Sequence, residues 1–251
     1  MPMADAFRDL HRAGRPLILY NIWDAGSAAA VARAGAVALA TGSASVAGAL
    51  GYPDGQAVPL DLLVTVITRI RAVSNLPLSV DFEAGYAGDA AGVAQNAALL
   101  AKAGVTGINL EDGIPPENGI RSMAGHAARI AAIRKATPLF VNARTDLFLQ
   151  SPVADHAALL PQALQRAAAY ERAGAGCFFA PGLVDPALIA RLCSECPLPV
   201  NIMASAAAPS LGRLAALNVA RISFGPFPWR EAMEALTQAA ARCVIPDGPG
   251  E

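Results

Sequence analysis

The chain is predicted to be an α/β protein folded as a single (β/α)8 TIM barrel, and three observations carry that reading. Ala32-Arg33-Ala34-Gly35-Ala36, Ala101-Lys102-Ala103-Gly104-Val105 and Glu171-Arg172-Ala173-Gly174-Ala175 each close an Ala-rich helical segment just before a short apolar run. A cationic last turn followed by glycine is a helix C-terminal signal, and the apolar run after it reads as a buried parallel strand. Eight such runs alternate with helical segments, and 251 residues match the usual size of one closed barrel. Residues 1–251 contain no interdomain linker, and the Pro/Gly-rich tail at 245–251 is expected to fray.

In order, the strands are expected near 17–22, 37–41, 78–82, 106–110, 139–143, 176–180, 199–203 and 220–224. In a barrel of this kind the residues just after each strand share one rim, where function is built. Strand 1 leads into Asn21, Trp23 and Asp24, and Asp24 is either a helix cap or a catalytic acid. Strand 2 leads into Thr41-Gly42-Ser43-Ala44-Ser45, either an ordinary turn or a small polar loop whose amides and hydroxyls suit an anion. Strands 3 and 4 run into Asp81-Phe82-Glu83 and Glu111-Asp112-Gly113. Strand 5 ends in Asn142-Ala143-Arg144-Thr145-Asp146, where the arginine fork requires an anion: a ligand, or a rim acid such as Glu111 or Asp146. Strand 7 carries Asn201, either a neutral donor or a satisfied turn residue.

The acids are the most informative feature. Residues two apart on a strand share a face, so Asp81 and Glu83 are expected to point the same way. Two carboxylates on one face repel unless a proton, a cation or a basic partner compensates them. A hard divalent ion is the simplest compensation, since magnesium needs only one or two carboxylates plus water. The alternative is a solvated acidic pair at a strand end.

Composition excludes several classes. Net charge is −1 with no basic cluster, so the footprint of a nucleic-acid binder is missing. Gly, Pro or charge interrupts every apolar stretch before membrane-spanning length, and Met-Pro-Met-Ala-Asp does not begin a signal peptide, so a cytoplasmic protein is expected. With 54% hydrophobic and 16% charged residues, part of the surface is expected to be covered in a homo-oligomer, a dimer or tetramer. Cys177, Cys193, Cys196 and Cys243 are too sparse for a disulfide scaffold, and Cys193-Ser194-Glu195-Cys196 lacks a second pair or a nearby His. His11, His126 and His156 lack metal-ligand spacing and are expected at the surface. No GxSxG elbow or P-loop occurs.

Six segments in register resemble the isocitrate lyase and phosphoenolpyruvate mutase superfamily: Thr41-Gly42-Ser43, Leu50-Gly51-Tyr52-Pro53-Asp54, Asp81 to Tyr86, Gly107 to Asp112, Asn142 to Asp146 and Asn201-Ile202-Met203. The resemblance spans roughly residues 17–225. It implies a magnesium ion, with manganese as an alternative, touched directly by Asp81 and through water by Asp54, Glu83 and Glu111. It places a small 2-oxo acid or dicarboxylate on Thr41, Gly42 and Ser43, with Asn142, Asn201 and Arg144 completing the substrate set. Arg144, Glu111 and Asp54 are the implied catalytic residues, in lyase or decarboxylase chemistry through an enolate. Phosphonopyruvate or phosphoenolpyruvate chemistry, as mutase or hydrolase, is the first alternative, and a non-catalytic oxo-acid binding protein is the second. The chain departs from the family lyases where their mobile loop carries Lys-Lys-Cys-Gly or Lys-Arg-Cys-Gly: the segment 113–121 here has neither lysine nor cysteine. Ala180-Pro181-Gly182 replaces the lyase carboxylate after strand 6, and the family's C-terminal helix is expected to be shortened.

Overall fold

Eight short parallel strands curve into a ring: β1 (Leu17–Leu19), β2 (Leu39–Ala40), β3 (Leu78–Asp81), β4 (Gly107–Glu111), β5 (Phe140–Arg144), β6 (Cys177–Phe179), β7 (Val200–Met203) and β8 (Arg221–Ser223). They belong to a computed structural model that describes residues 3–115, 117 and 119–243, so the tail at 245–251 lies outside the described residues. Hydrogen-bonded order runs β1-β8-β7-β6-β5-β4-β3-β2. A parallel bridge between Ile22 and Thr41, just past β1 and β2, closes the remaining seam. Asn21 staples the same corner: its amide donates to the Thr41 carbonyl at 2.8 Å, and its Oδ1 accepts from the Phe224 and Gly225 N–H groups.

The helices are α1 (Met3–Arg8), α2 (Ala25–Arg33), α3 (Ser43–Leu50), α4 (Leu60–Val73), α5 (Ala90–Lys102), α6 (Met123–Ala136), α7 (His156–Arg172), α8 (Pro186–Glu195), α9 (Leu211–Ala216) and α10 (Phe227–Ala241). Gly35, Gly104 and Gly174 follow α2, α5 and α7 with φ of +92°, +90° and +98°, so the repeated signal is a left-handed helix stop. Asp24 proves to be a helix cap, exchanging hydrogen bonds with Ser27 at the start of α2. Thr41-Gly42-Ser43-Ala44-Ser45 is not a loop, because Ser43 already begins α3 with Gly42 as its cap. None of the described helices is long and apolar enough to cross a membrane.

Alternation along the strands divides the interior in two. Residues such as Leu78, Val80, Ile108, Leu110, Val141 and Ile202 face outward into one apolar layer beneath the helices. Inside the ring a smaller cluster of Phe7, Leu17, Leu19, Phe140 and Cys177 forms the floor, with Phe7 edge-on to Phe140 at 5.4 Å. Gly176 makes that floor possible, since a Cβ there would stand 2.3 Å from the Phe140 ring. Above it the interior turns polar. Arg221 is fully buried and donates to Ser79 Oγ at 3.2 Å and Asn109 Oδ1 at 3.0 Å, while Asn142 donates to the same Asn109 oxygen at 2.8 Å.

Candidate active site

Asp81 ends β3 at the polar mouth of the ring. Its N–H donates to Thr41 Oγ1 at 3.0 Å and its Oδ2 accepts the Ser43 N–H at 3.2 Å, but Oδ1 is buried without a partner. A buried carboxylate oxygen with nothing to satisfy it is costly, and a cation is the simplest remedy. Asp54, between α3 and α4, shares the cavity with it. Burial raises the Asp54 pKa and the Asp81 charge adds to the rise.

Glu83 departs from the strand rule, since β3 stops at Asp81 and Glu83 takes φ of +49°. The two-residue alternation therefore does not extend to it. Its carboxylate turns to the Tyr86 hydroxyl at 2.7 Å and to the Gln56 N–H. Burial first, and Asp81 with Asp54 in addition, push Glu83 up to about 7. Gln56 and Tyr86 also have positive φ, so three non-glycine residues hold an uncommon backbone conformation around one carboxylate.

Arg144 ends β5 and is gripped from two sides. Its Nη1 meets Glu111 Oε2 at 2.9 Å, and its Nε and Nη2 fork onto Asp146, the second contact at 3.1 Å. Burial works to lower the Arg144 pKa, but Glu111 and Asp146 outweigh it and push it up. Burial drives the Glu111 carboxyl upward against the pull of Arg144. Asp146 is fixed in turn: its N–H donates to Asp112 Oδ1 at 2.9 Å, and Asp112 Oδ2 accepts from Arg166 at 3.0 Å and Tyr170 at 2.8 Å. Gly113 leaves room for this clamp, as a Cβ there would lie 2.6 Å from Asp146 Oδ2.

The cavity above these groups is about 310 Å³. Asn21, Ser43, Asp54, Asp81, Asn109 and Arg144 are among its polar lining residues, and Leu149, Phe179, Pro181, Met203 and Phe227 among its apolar ones. Of the residues expected to touch substrate, Gly42, Ser43 and Arg144 line it, whereas Thr41, Asn142 and Asn201 do not. The Thr41 and Gly42 N–H groups are taken by the Ser79 and Ile22 carbonyls, and the Ser43 N–H by Asp81. Those three amides therefore do not form an open anion cradle. Asn142 and Asn201 are fully buried, each with one side-chain atom unpartnered. The four acids do not wrap a common point either: among the described residues no three His, Cys, Asp or Glu side chains converge enough to hold an ion. Among the described residues Asp81 is the one acid with a buried oxygen lacking a partner, a donor that fits magnesium carrying most of its water.

All three histidines are buried, at 7% exposure for His11, 0% for His126 and 1% for His156, which corrects the expectation of surface positions. Backbone carbonyls hold two of them, His11 on Phe7 and His156 on Phe148, each at 2.9 Å, while His126 packs edge-on against the Tyr170 ring. The segment 113–121 is tied at its base by an antiparallel bridge between Gly113 and Ile120, with Pro116 and Asn118 outside the described residues. Cys177 lies in the barrel floor, Cys193 and Cys196 on or beside α8, and Cys243 past α10. Asn109, Arg221 and Arg230 were not singled out from the sequence; alternation with Glu111 was the available signal for Asn109.

Fold and rim together define a class, the (β/α)8 barrels with an acid-rich site at the carboxyl ends of the strands. The chain belongs to the phosphoenolpyruvate phosphomutase family, whose model matches residues 7–244, within the isocitrate lyase and PEP mutase superfamily of lyases and mutases. It is 32% identical to 2-methylisocitrate lyase of Escherichia coli K12, over 94% of this chain and 81% of that protein. A putative phosphonomutase of Burkholderia cenocepacia J2315 has a crystal structure that superposes with a TM-score of 0.93 at 46% identity, covering 96% of this chain and 98% of that one. Phosphonopyruvate hydrolase, solved with oxalate and Mg2+, shares the fold with a TM-score of 0.85 at 22% identity, covering 96% and 87%.

Proposed function

We propose that this protein is a magnesium-dependent lyase or decarboxylase, with manganese able to substitute, acting on a small 2-oxo acid or 2-hydroxy diacid through an enolate. The observation that carries the reading is the free, buried Oδ1 of Asp81 in the cavity that Arg144 also lines. A bound divalent ion supplies Lewis acidity toward the oxygens of a 2-oxo acid. Asp81 is the residue to hold it directly, with Asp54, Glu83 and Glu111 acting through water. Arg144 binds the substrate oxygens and stabilises negative charge as it develops there, held rigid beforehand by Glu111 and Asp146. Asn109 offers its amide N–H2 to the same cavity, because its oxygen is engaged by Arg221 and Asn142.

Phosphonate chemistry is the second reading, supported by the family description and by the phosphonomutase-like relative at 46% identity. Incubation with magnesium and a panel of substrates separates the two. Release of pyruvate, glyoxylate or carbon dioxide from an oxo or hydroxy acid supports the first, and movement of the phosphorus-31 signal of phosphonopyruvate supports the second. Tight oxalate binding with no turnover on either arm marks a binding protein instead.

A further inference from the structure

Asp112, the residue after β4, is fully buried and grips the end of β5 on both sides of Arg144. Its N–H donates to the Arg144 carbonyl at 3.1 Å, and its Oδ1 accepts the Asp146 N–H at 2.9 Å. Asp146 is in turn the acid on which the Nε and Nη2 fork of Arg144 closes. What orients the Asp112 carboxylate lies on α7, and neither residue concerned lines the cavity. Arg166 Nη1 donates to Asp112 Oδ2 at 3.0 Å and to the Tyr170 oxygen at 2.9 Å, while the Tyr170 hydroxyl donates to the same Oδ2 at 2.8 Å. Arg166 and Tyr170 stand one turn apart on the helix, so they close a triangle on the acid. Arg166 Nη1 also meets the Arg121 carbonyl at 3.0 Å, which keeps the guanidinium from swinging away. Burial first, and Asp112 in addition, push the Tyr170 hydroxyl up, so it stays protonated as a donor.

A buried ion pair often adds little net stability, because the cost of desolvating both charges offsets their attraction, so what this one supplies is orientation. We propose that Tyr170 and Arg166 are positioning residues for ligand binding: through Asp112 and then Asp146 they set the plane of the Arg144 guanidinium. This rests on the reading of the site proposed above, and it adds residues on α7 that govern the affinity of the site without touching the ligand. An arginine fork recognises a planar oxyanion only when its own plane is fixed, so a loosened Asp112 is felt at the cavity as a misaligned Arg144.

The test compares the magnesium-supplemented wild type with Tyr170→Phe and Arg166→Lys. Tyr170→Phe keeps the ring that packs against His126 and Phe178 and removes only the hydroxyl. Oxalate affinity by calorimetry should fall about threefold or more in each variant, the value of one hydrogen bond. In an Arg144→Lys background, which has no fork to hold, Tyr170→Phe should cost nothing further. Proton–nitrogen NMR reads the link without a ligand: the Arg144 Nε–H signal, identified by its absence from Arg144→Lys, should exchange with water measurably faster in Tyr170→Phe. A role confined to packing α7 on the barrel would lower the melting temperature alone. In a protein that binds oxalate, an unchanged Arg144 signal, an unchanged oxalate affinity in Tyr170→Phe, or an equal loss in both backgrounds overturns the inference and leaves the reading of the site standing. A wild type that binds no oxalate overturns the reading of the site and the inference with it, so the two failures are distinguishable.

Discussion

Arg144 carries most of the electrostatics of the rim, and it does so as a fork. Three of its N–H groups are committed to Glu111 and Asp146, which keeps the plane of the guanidinium fixed while leaving further donors for a ligand. Lysine has the same charge but cannot reach both acids in one plane. Arg144→Lys is therefore expected to weaken oxalate binding by about ten to a hundredfold, the equivalent of about 1.5 to 3 kcal/mol for a charged hydrogen bond. Titration calorimetry giving equal affinities would remove Arg144 from the ligand site. Other residues were less legible than this one. Arg144 is legible as a cation ending an apolar strand, whereas strand alternation does not reach Glu83, because the strand ends at Asp81 and the chain turns left-handed two residues later. The histidines were misread because spacing reports metal geometry and says nothing of burial among neighbours distant in sequence.

Among the elements, all eight strands were legible, because glycine-terminated helices and apolar runs are local signals. Their ends were not. The expected strand at 17–22 pairs only over Leu17–Leu19, after which the Asn21 side chain takes over the connections to β2 and β8. The small polar stretch at 41–45 looked like a turn since serine, alanine and glycine carry no strong periodicity, yet it starts α3 and packs Gly48 against Trp229. The segment after β4 matters most for chemistry. It lacks the lysine and cysteine of the family lyases, and the four thiols belong to the barrel floor, the α8 region and the end of α10. Burial pushes the Cys177 and Cys193 thiols up to about 12 and that of Cys196 to about 11, which leaves little reactive thiolate. Cleavage of isocitrate and 2-methylisocitrate is expected to be negligible, and iodoacetamide should leave the native activity largely intact. Efficient cleavage of either substrate that iodoacetamide abolishes would contradict this assignment.

For the whole molecule, acid stability follows in part from buried His126. His126 is fully buried against the Tyr170 ring, and burial together with Arg129, Arg166 and Arg121 lowers it from 6.5 to about 3. Below pH 6.5 the unfolded chain takes up a proton that the folded protein refuses, so stability is full above that value and declines as pH falls toward about 3. His126→Phe should flatten the acid limb of urea-unfolding stability by about one proton, roughly 1.4 kcal/mol per pH unit. A limb of unchanged slope would show that His126 titrates normally. At the rim the unsatisfied carboxylate oxygen is Asp81 Oδ1, and it decides whether the rim is a metal site. The most direct measurement is calorimetric titration of magnesium in the presence of oxalate into the wild type and Asp81→Asn, paired with melting temperatures. The wild type should bind magnesium and melt higher when it is added, while Asp81→Asn keeps the fold and shows neither response. A wild type that takes up no magnesium and melts unchanged, or an Asp81→Asn protein that binds it equally well, would contradict the account.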